Sequence, residues 1–318
     1  MNFATELIED GGAAASGDEF FRSPQFLEAE GVTHSLRITG EGTELVTPLL
    51  VRAIDGGPER DAISPYGYPG IAEARVDHTG GGSTLASRID VREIDFSPTG
   101  LVSIFIRHAL GDPPLSASRA RNVVQIADPA LPAKSRGSDR NQINKNLRNG
   151  YELRLVPGPE TSSAERAGFL AAYEQTMRRT GAAERYFFGA PYFDRILKSP
   201  RTWLALAHAP DGTVAAASIA AASDGYLHYY LSGSADSHLR DSPMKNIVAS
   251  LTERGEPLNL GGGITRGDRL EEFKRGFANR ELPWHTSELV ADRAAYARLA
   301  GDTLSGGFFP AYRAPAKS

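Results

Sequence analysis

Two tight turns in the second half of the chain constrain its fold more than any other feature. Pro210-Asp-Gly212 and Ser223-Asp-Gly225 each separate runs of β-forming residues, and their glycines can adopt the positive φ that a hairpin turn needs. The pattern predicts three consecutive antiparallel strands over 202–209, 213–222 and 226–232. Such a meander has to bury a face against helices.

Helical segments are predicted on both sides of this meander. Before it, Ser162 and Glu165 form a capping box at the start of a helix that runs to Thr180, and Pro191 begins a shorter helix. After it follow, in chain order, helix 242–254, strand 257–260, a helix over 268–277, strand 283–290 and a helix from Asp292. The predicted order is therefore helix-helix-β-β-β-helix-β-helix-β, which is an α+β arrangement.

The first part of the chain is predicted to consist of short strands and turns. Strands over 45–51 and 102–106 flank a stiff loop, SPYGYPG, at 64–70. Tyr66 and Tyr68 give this loop aromatic tips. One interpretation is a turn whose tyrosines pack on a neighbouring element, and the other is a loop that lines a substrate site.

A basic segment lies between residues 134 and 154. Its middle, 139–149, predicts a helix with Ile143 and Leu147 on the inward face. Such a helix can contact phosphate, although most charge runs of this kind form a solvated face. The candidates for phosphate contact on it are Arg140, Lys145 and Arg148.

A glycine triplet follows the strand at 257–260 and precedes a helix that carries one lysine between two phenylalanines. Glycine lets the backbone approach a ligand closely, and the lysine can place a mobile cation beside it. The glycine triplet and the lysine together predict a surface that binds an anionic or carbonyl-bearing substrate. The residues concerned are Gly261, Gly262, Gly263, Phe273, Lys274 and Phe277.

The composition excludes several classes of function. The 318 residues carry a formal net charge of −4 and are 41% hydrophobic, which is ordinary for a globular protein and argues against coating nucleic acid. Cysteine is absent and the seven histidines show no metal-ligand spacing, so we expect no metal site and no bound cofactor. Without a leader segment or an apolar run of about 18 residues, we expect a cytoplasmic protein that does not insert into membranes.

Four local motifs narrow the fold further: YLHYYLSGS over 226–234, SPMK over 242–245, LNLGGG over 258–263 and FKRGF over 273–277. With the element order, they resemble the Fem family of the GNAT superfamily, aminoacyl-tRNA-dependent transferases that attach amino acids to cell-wall precursors. A related acetyltransferase group shares the pattern. The resemblance implies two GNAT-like halves, 1–136 and 137–318, with mixed, mostly antiparallel sheets and no coiled-coil arm. It also implies that the C-terminal tail packs on the first half.

One departure from the GNAT pattern bears on the acyl donor. GNAT enzymes that use CoA carry a glycine-containing segment after their fourth strand, whose N–H groups cradle the pyrophosphate. The corresponding segment here, 239–246, contains no glycine, and Pro243 has no N–H donor. The resemblance therefore favours aminoacyl-tRNA as the co-substrate over acyl-CoA, with Lys245 and the basic segment at its phosphates.

The resemblance also implies roles for single side chains. Lys274 is expected to face the oxyanion or the 3′-terminal phosphate of the donor. Tyr229 and Tyr230 alternate along their strand, so only one of them can face the substrate cleft while the other packs in the core, and Tyr230 is favoured for the cleft. His228 shares the face of Tyr230 and is either a substrate contact or a satisfied structural histidine. The arginines expected near the phosphates of an acceptor are Arg178, Arg179 and Arg185.

Three hypotheses of function follow. The first is an aminoacyltransferase that forms an amide on a peptidoglycan precursor or on a small-molecule or peptide natural product. The second is an acyl-CoA-dependent N-acetyltransferase, and the third is a non-catalytic GNAT scaffold that binds a ligand. In the first two, the acceptor amine is the nucleophile, so no Ser-His-Asp or Cys-His triad is needed.

Overall fold

The computed structural model describes residues 3–40, 42–74, 89–111, 115–116, 118–263, 265, 267–301 and 307–315. The strands are β1 Ala4–Ile8, β2 His34–Gly40, β3 Thr43–Ala53, β4 Arg60–Ile63, β5 Ala72–Ala74, β6 Ser103–Arg107, β7 Ser118–Ala127, β8 Glu152–Pro157, β9 Thr202–His208, β10 Val214–Ser223, β11 Tyr226–Ser234, β12 Leu258–Gly261 and β13 Arg280–Val290. The helices are α1 Pro24–Ala29, α2 Gly137–Arg148, α3 Ser163–Arg179, α4 Ala190–Ile196, α5 Met244–Thr252, α6 Arg269–Arg275 and α7 Arg293–Ala300.

Contacts within the chain divide it into two compact units. Unit 1 contains Met1–Arg121 and Pro283–Ser318, and unit 2 contains Asn122–Leu282. The predicted halves, 1–136 and 137–318, assign two segments differently. Residues 122–136 lie in unit 2 because β7 pairs with β12 there, and the tail lies in unit 1 because β13 pairs with β6.

Unit 1 is built on a mixed sheet with the strand order β1-β2-β3-β4-β6-β13, and β5 pairs with β3. Neighbouring strands along this order are antiparallel except β4 and β6, which are parallel. The apolar side chains of β2 and β3 alternate, so Leu36, Ile38 and Leu45 are buried in one cluster. This cluster is the core of unit 1.

Unit 2 repeats the same pattern with the strand order β7-β12-β11-β10-β9-β8. Strands β11 and β12 are parallel and the other neighbours are antiparallel. The predicted meander is confirmed as β9, β10 and β11, and its turn residues Gly212 and Gly225 have φ of 82° and 79°. The predicted α+β class with mixed, mostly antiparallel sheets is also confirmed.

Helix α3 packs closely on the sheet of unit 2. Its predicted capping box is present: the Ser162 hydroxyl accepts from the Glu165 N–H at 3.2 Å, and the Glu165 carboxylate accepts from the Ser162 N–H at 2.8 Å. On β11, a Cβ added to Gly233 would lie 2.4 Å from the carbonyl oxygen of Ala172. Only glycine therefore lets this strand meet the helix backbone.

Helix α2 buries a different residue from the one predicted. Leu147, predicted to face inward, is 50% exposed, so that prediction is wrong. The neighbouring Asn146 is buried instead, and its Nδ2 donates to Oδ1 of Asn246 and to the carbonyl oxygen of Asp241, both at 2.7 Å. Ile143 packs against the core of unit 2 as predicted. A polar side chain can occupy this buried position because its hydrogen bonds are satisfied there.

Candidate functional site

The glycine triplet lies where the main chain of β12 passes close to other protein atoms. Gly261 has a φ of 74°, and its N–H donates to Oδ1 of Asn259 at 2.8 Å. A Cβ on Gly262 would lie 2.5 Å from Nδ2 of Asn122, and one on Gly263 would lie 2.6 Å from Oδ1 of Asp268. The last two glycines are thus required by packing on β7 and on the start of α6. A substrate contact of the triplet stays a prediction.

The start of α6 is fixed by carboxylates. Asp268 is the N-cap and accepts from the N–H of Glu271 at 2.8 Å. The Glu271 side chain is buried, accepts from the N–H of Gly267 at 2.7 Å, and pairs with Arg275 at 2.7 Å one turn later. These contacts orient the helix so that its next inward residue is Lys274.

Lys274 is a buried ammonium. The residue is 8% exposed, and its Nζ donates to the carbonyl oxygen of Gly262 at 2.6 Å. Burial lowers its pKa to about 8, against the opposing effect of Asp268 and Glu271. An ammonium has three N–H donors, and within the described residues only the one to Gly262 has a hydrogen-bond partner. The ammonium therefore has N–H donors without a hydrogen-bond partner among the described residues.

The two phenylalanines beside Lys274 hold α6 on the core. Their rings meet edge to face with centroids 5.6 Å apart. Phe277 is buried and Phe273 is partly buried against the same cluster of unit 2. Both have a packing role, and Phe273 also lines a cavity.

That cavity has a volume of about 300 Å³ and lies between α2, α5 and α6. Three cations and two carboxylates line it, so it has an excess of positive charge. Lys245 pairs with the buried Asp139 at 2.8 Å, and Arg136 donates to the carbonyl oxygen of Glu272 at 3.1 Å. The lining residues are Arg136, Asp139, Lys245, Arg269, Glu272 and Phe273.

Lys245 and Phe273 were predicted from the sequence as site residues, but two arginines that line this cavity were not. Arg269 is exposed and, among the described residues, its guanidinium has no hydrogen bond or ion pair. It precedes Phe273 by four residues on α6, a spacing that places both on one helix face and could have revealed it. Arg136 precedes α2 and lay within the basic segment.

The other predicted phosphate ligands are on the surface of α2 and do not line the cavity. Arg140, Lys145 and Arg148 are all exposed, and the Arg140 guanidinium binds the carbonyl oxygen of Ser135. They form a solvated basic face. Its contact with phosphate stays a prediction.

Tyr230 lies at a β-bulge of β11. The register with β10 includes Tyr229 and Leu231 but skips Tyr230, so the simple alternation of faces is interrupted there. Tyr229 packs against the core of unit 2, and burial raises its pKa to about 12. The Tyr230 hydroxyl lies 2.8 Å from the hydroxyl of Tyr192 on α4. Tyr229 thus has the core position expected for it.

His228 has the contacts of a structural histidine. Its Nδ1 accepts from Nδ2 of Asn259 at 3.0 Å, and its Nε2 donates to the carbonyl oxygen of Ser223 at 3.2 Å. The residue is 2% exposed, and burial lowers its pKa to about 4. The ring is therefore neutral at pH 7 with protein partners at both nitrogens.

The three predicted acceptor arginines have local partners in unit 2. Arg178 pairs with Glu174 at 2.7 Å, and Arg179 pairs with Asp236. The Arg185 guanidinium lies over the ring of the next residue, 4.9 Å from its centroid. Their binding to an acceptor stays a prediction.

The predicted aromatic loop belongs to unit 1. Tyr68 packs edge to face with Phe21 and Trp284, with centroid distances of 5.5 and 5.6 Å. Tyr66 is 36% exposed, and its backbone N–H donates to Glu30 at 2.7 Å. The structure thus gives Tyr68 the packing role and leaves Tyr66 on the surface.

Within the described part of the chain, no group of three or more His, Cys, Asp or Glu side chains is arranged to hold a metal ion. No helix in that part has the length and apolar character needed to cross a membrane.

Comparisons with known proteins bear on the fold. The family model of an acetyltransferase (GNAT) domain matches residues 133–257. The crystal structure of FemX aligns with a TM-score of 0.61 and 9% sequence identity, over 92% of this chain and 99% of FemX. The chain has the GNAT fold. The predicted resemblance to Fem-type proteins is confirmed at the level of fold.

Two further structures resemble the fold over most of the chain. The C-terminal domain of a putative lysylphosphatidylglycerol synthetase from Agrobacterium fabrum aligns with a TM-score of 0.51 and 12% identity, over 87% of this chain and 90% of that domain. A conserved protein of unknown function from Bacteroides thetaiotaomicron has a TM-score of 0.50 and 11% identity, over 88% and 96% of the two chains. Among curated proteins, none matches the sequence. The comparisons thus give a GNAT acetyltransferase domain over residues 133–257 and a shared fold over most of the chain.

The segment that precedes α5 is the one compared above with the CoA-binding segment of GNAT enzymes. It is a 3-10 helix, Asp236–Asp241, followed by Ser242 in the left-handed region with a φ of 47°. Pro243 caps α5 and has no N–H, while the Lys245 N–H donates to the carbonyl oxygen of Ser242 at 3.0 Å. Neither of these two positions therefore offers a free N–H to a phosphate.

Proposed function

We propose that the chain is an aminoacyltransferase that moves an aminoacyl group from aminoacyl-tRNA to an amine. The acceptor is a peptidoglycan precursor or a small-molecule or peptide natural product. The observation that carries the proposal is the Lys274 ammonium, buried and held by the Gly262 carbonyl, with N–H donors left unused. The GNAT fold and the likeness to FemX support the acyltransferase class.

The proposed reaction needs a cation at one point. The acceptor amine attacks the carbonyl carbon of the ester, a C–N bond forms, and negative charge develops on the carbonyl oxygen. Lys274 donates a hydrogen bond to that oxygen, which is worth more in a buried site than in water. When the tetrahedral intermediate collapses, the C–O bond to the 3′ ribose breaks, and the proton lost by the amine goes to the departing oxygen.

The cavity beside α6 suits the phosphates of the donor. Its excess of cations comes from Arg136, Lys245 and Arg269, and the Phe273 ring offers a face on which a base can stack. We assign the phosphate end of the donor to this cavity and the ester end to Lys274, which follows Phe273 on α6 but is not among the cavity-lining residues. The exposed basic face of α2 adds contacts that weaken with salt.

The segment before α5 supports tRNA over CoA as the donor. A pyrophosphate needs several convergent N–H groups, and this segment has a proline in place of one and an internal hydrogen bond at another. The two donors are chemically distinct, since one is an ester of ribose and the other a thioester.

The test compares these donors directly. The purified chain is incubated with an amine acceptor pool and either aminoacyl-tRNA labelled in the amino acid or labelled acetyl-CoA, each with and without RNase. We expect transfer of label from aminoacyl-tRNA only, and its loss after RNase. Transfer from acetyl-CoA that resists RNase contradicts the proposal. Ligand binding that Lys274→Ala weakens, without transfer from either donor, identifies a non-catalytic scaffold instead.

A further inference from the structure

Unit 1 contains a cavity of about 500 Å³ that the proposed function does not use. Its size lies in the range of small-molecule sites. Its lining includes the apolar and aromatic residues Leu299, Phe308 and Phe309. It also includes the polar residues Arg52, Tyr312 and Arg313. A cleft that combines apolar side chains with a few charged groups is a usual form of a ligand site.

The polar wall is organised around a fully buried carboxylate. Asp61 is 0% exposed and accepts from Nε of Arg52 at 2.9 Å and from Nε of Arg313 at 2.5 Å. It also accepts from the Tyr312 hydroxyl at 3.2 Å. Two guanidinium groups therefore share one carboxylate, and the cluster keeps a net charge of +1. Asp55 at the rim is exposed, where solvent and salt screen its charge.

The guanidinium groups have donors to spare. Arg52 uses only its Nε, so both of its Nη atoms have no hydrogen-bond partner among the described residues. Arg313 uses Nε and Nη2, the latter also to the carbonyl oxygen of Ala53 at 2.6 Å, and leaves Nη1. Asp61 fixes the orientation of both groups, so the unused N–H donors are held in place before any ligand binds.

We propose that this cavity binds a small carboxylate with an aromatic or apolar body. The planar carboxylate matches the two parallel N–H bonds that a guanidinium offers, and one negative charge balances the cluster. The body of the ligand lies against Phe308, Phe309 and Leu299. A free acid and the C-terminus of a peptide share this chemistry, and the proposal is independent of the transfer reaction.

The test uses N-acetyl-L-phenylalanine as the probe and its uncharged amide as the control ligand, with the affinity measured by calorimetry or ligand-observed NMR. We expect the acid to bind, and we expect the affinity of the amide to be lower by a factor of about ten or more. A tenfold difference in affinity is about 1.4 kcal/mol. The affinity of a peptide that ends in phenylalanine, compared with that of the free acid, shows which of the two the cavity prefers. Equal binding of acid and amide, or no binding of the acid, overturns the proposal.

Variants locate the site. Arg52→Gln leaves Asp61 paired with Arg313 and is expected to weaken binding of the acid about tenfold. Arg37→Gln is the matched control, because Arg37 is also a surface arginine of unit 1 with 34% side-chain exposure, against 33% for Arg52. Leu299→Trp fills the apolar wall and is expected to abolish binding without touching the charges. If Arg52→Gln and Leu299→Trp fold and bind like the wild type, the cavity is not the site.

Discussion

Replacing Lys274 by methionine is expected to lower the rate of aminoacyl transfer about 100- to 1,000-fold, the loss typical of one oxyanion donor. Methionine keeps the length and the apolar stem of the side chain, so Phe273 and Phe277 keep their packing. The charge, which lies beside the Gly262 carbonyl, is the only large change. The measurement is the single-turnover rate with saturating aminoacyl-tRNA.

The stability of this variant separates chemistry from folding. Burial lowers the pKa of Lys274, so the charged form is less favourable in the folded chain than in the unfolded one. Removing that charge offsets the lost hydrogen bond, and we expect the free energy of unfolding at pH 7 to change by about 1 kcal/mol or less. Lys198→Met, at an exposed lysine after α4, is the control and should not change the rate. Wild-type transfer by a folded Lys274→Met protein would remove Lys274 from the mechanism.

Replacing Gly233 by alanine is expected to cost about 3 kcal/mol of stability or more. The added Cβ would lie 2.4 Å from three backbone atoms of α3, in Ala172 and Tyr173, and backbone cannot rotate away as a flexible side chain can. Helix α3 would have to move off β11, which separates buried aromatic residues from the sheet. The measurement is the free energy of unfolding from urea denaturation.

Gly189→Ala is the matched control for this substitution. Gly189 also lies in unit 2, has a φ of −92°, and an added Cβ would come no closer than 3.6 Å to a neighbour. We expect a cost of about 1 kcal/mol, because alanine is less favourable than glycine at an N-cap. That cost is well below the one expected for Gly233→Ala. Equal stability of the Gly233→Ala and wild-type proteins would show that α3 does not pack on β11 as described.

Local signals explain which parts of the fold could be predicted from the sequence. The meander was predictable because Gly212 and Gly225 mark both turns, and α3 because its capping box spans only Ser162 to Glu165. Strands β7 and β8 were missed. The first half of β7 is largely exposed and carries two arginines, and β8 overlaps the end of the basic segment and is largely exposed. Their strand state comes from pairing with β12 and β9, which is a long-range effect.

The same distinction applies to the candidate site. Lys274 could be predicted because its loop and its flanking phenylalanines are adjacent in sequence. Its burial and its bond to Gly262 depend on tertiary packing. Arg136 and Arg269 were missed because 132 residues lie between them in the sequence. Only the fold brings both to one cavity. For Leu147, the apolar periodicity was misleading because the buried position is taken by a hydrogen-bonded asparagine.

The pH dependence of transfer tests the central claim most directly. The pKa of Lys274 is about 8, so the ammonium is charged below that pH and loses its charge as the pH rises above it. The rate of single-turnover transfer, corrected for hydrolysis of the ester without protein, is therefore expected to fall above about pH 8 in the wild type. The residual rate of Lys274→Met should show no such fall. A wild-type rate that continues to rise through pH 10, or the same fall in both proteins, would contradict a catalytic role for this buried cation.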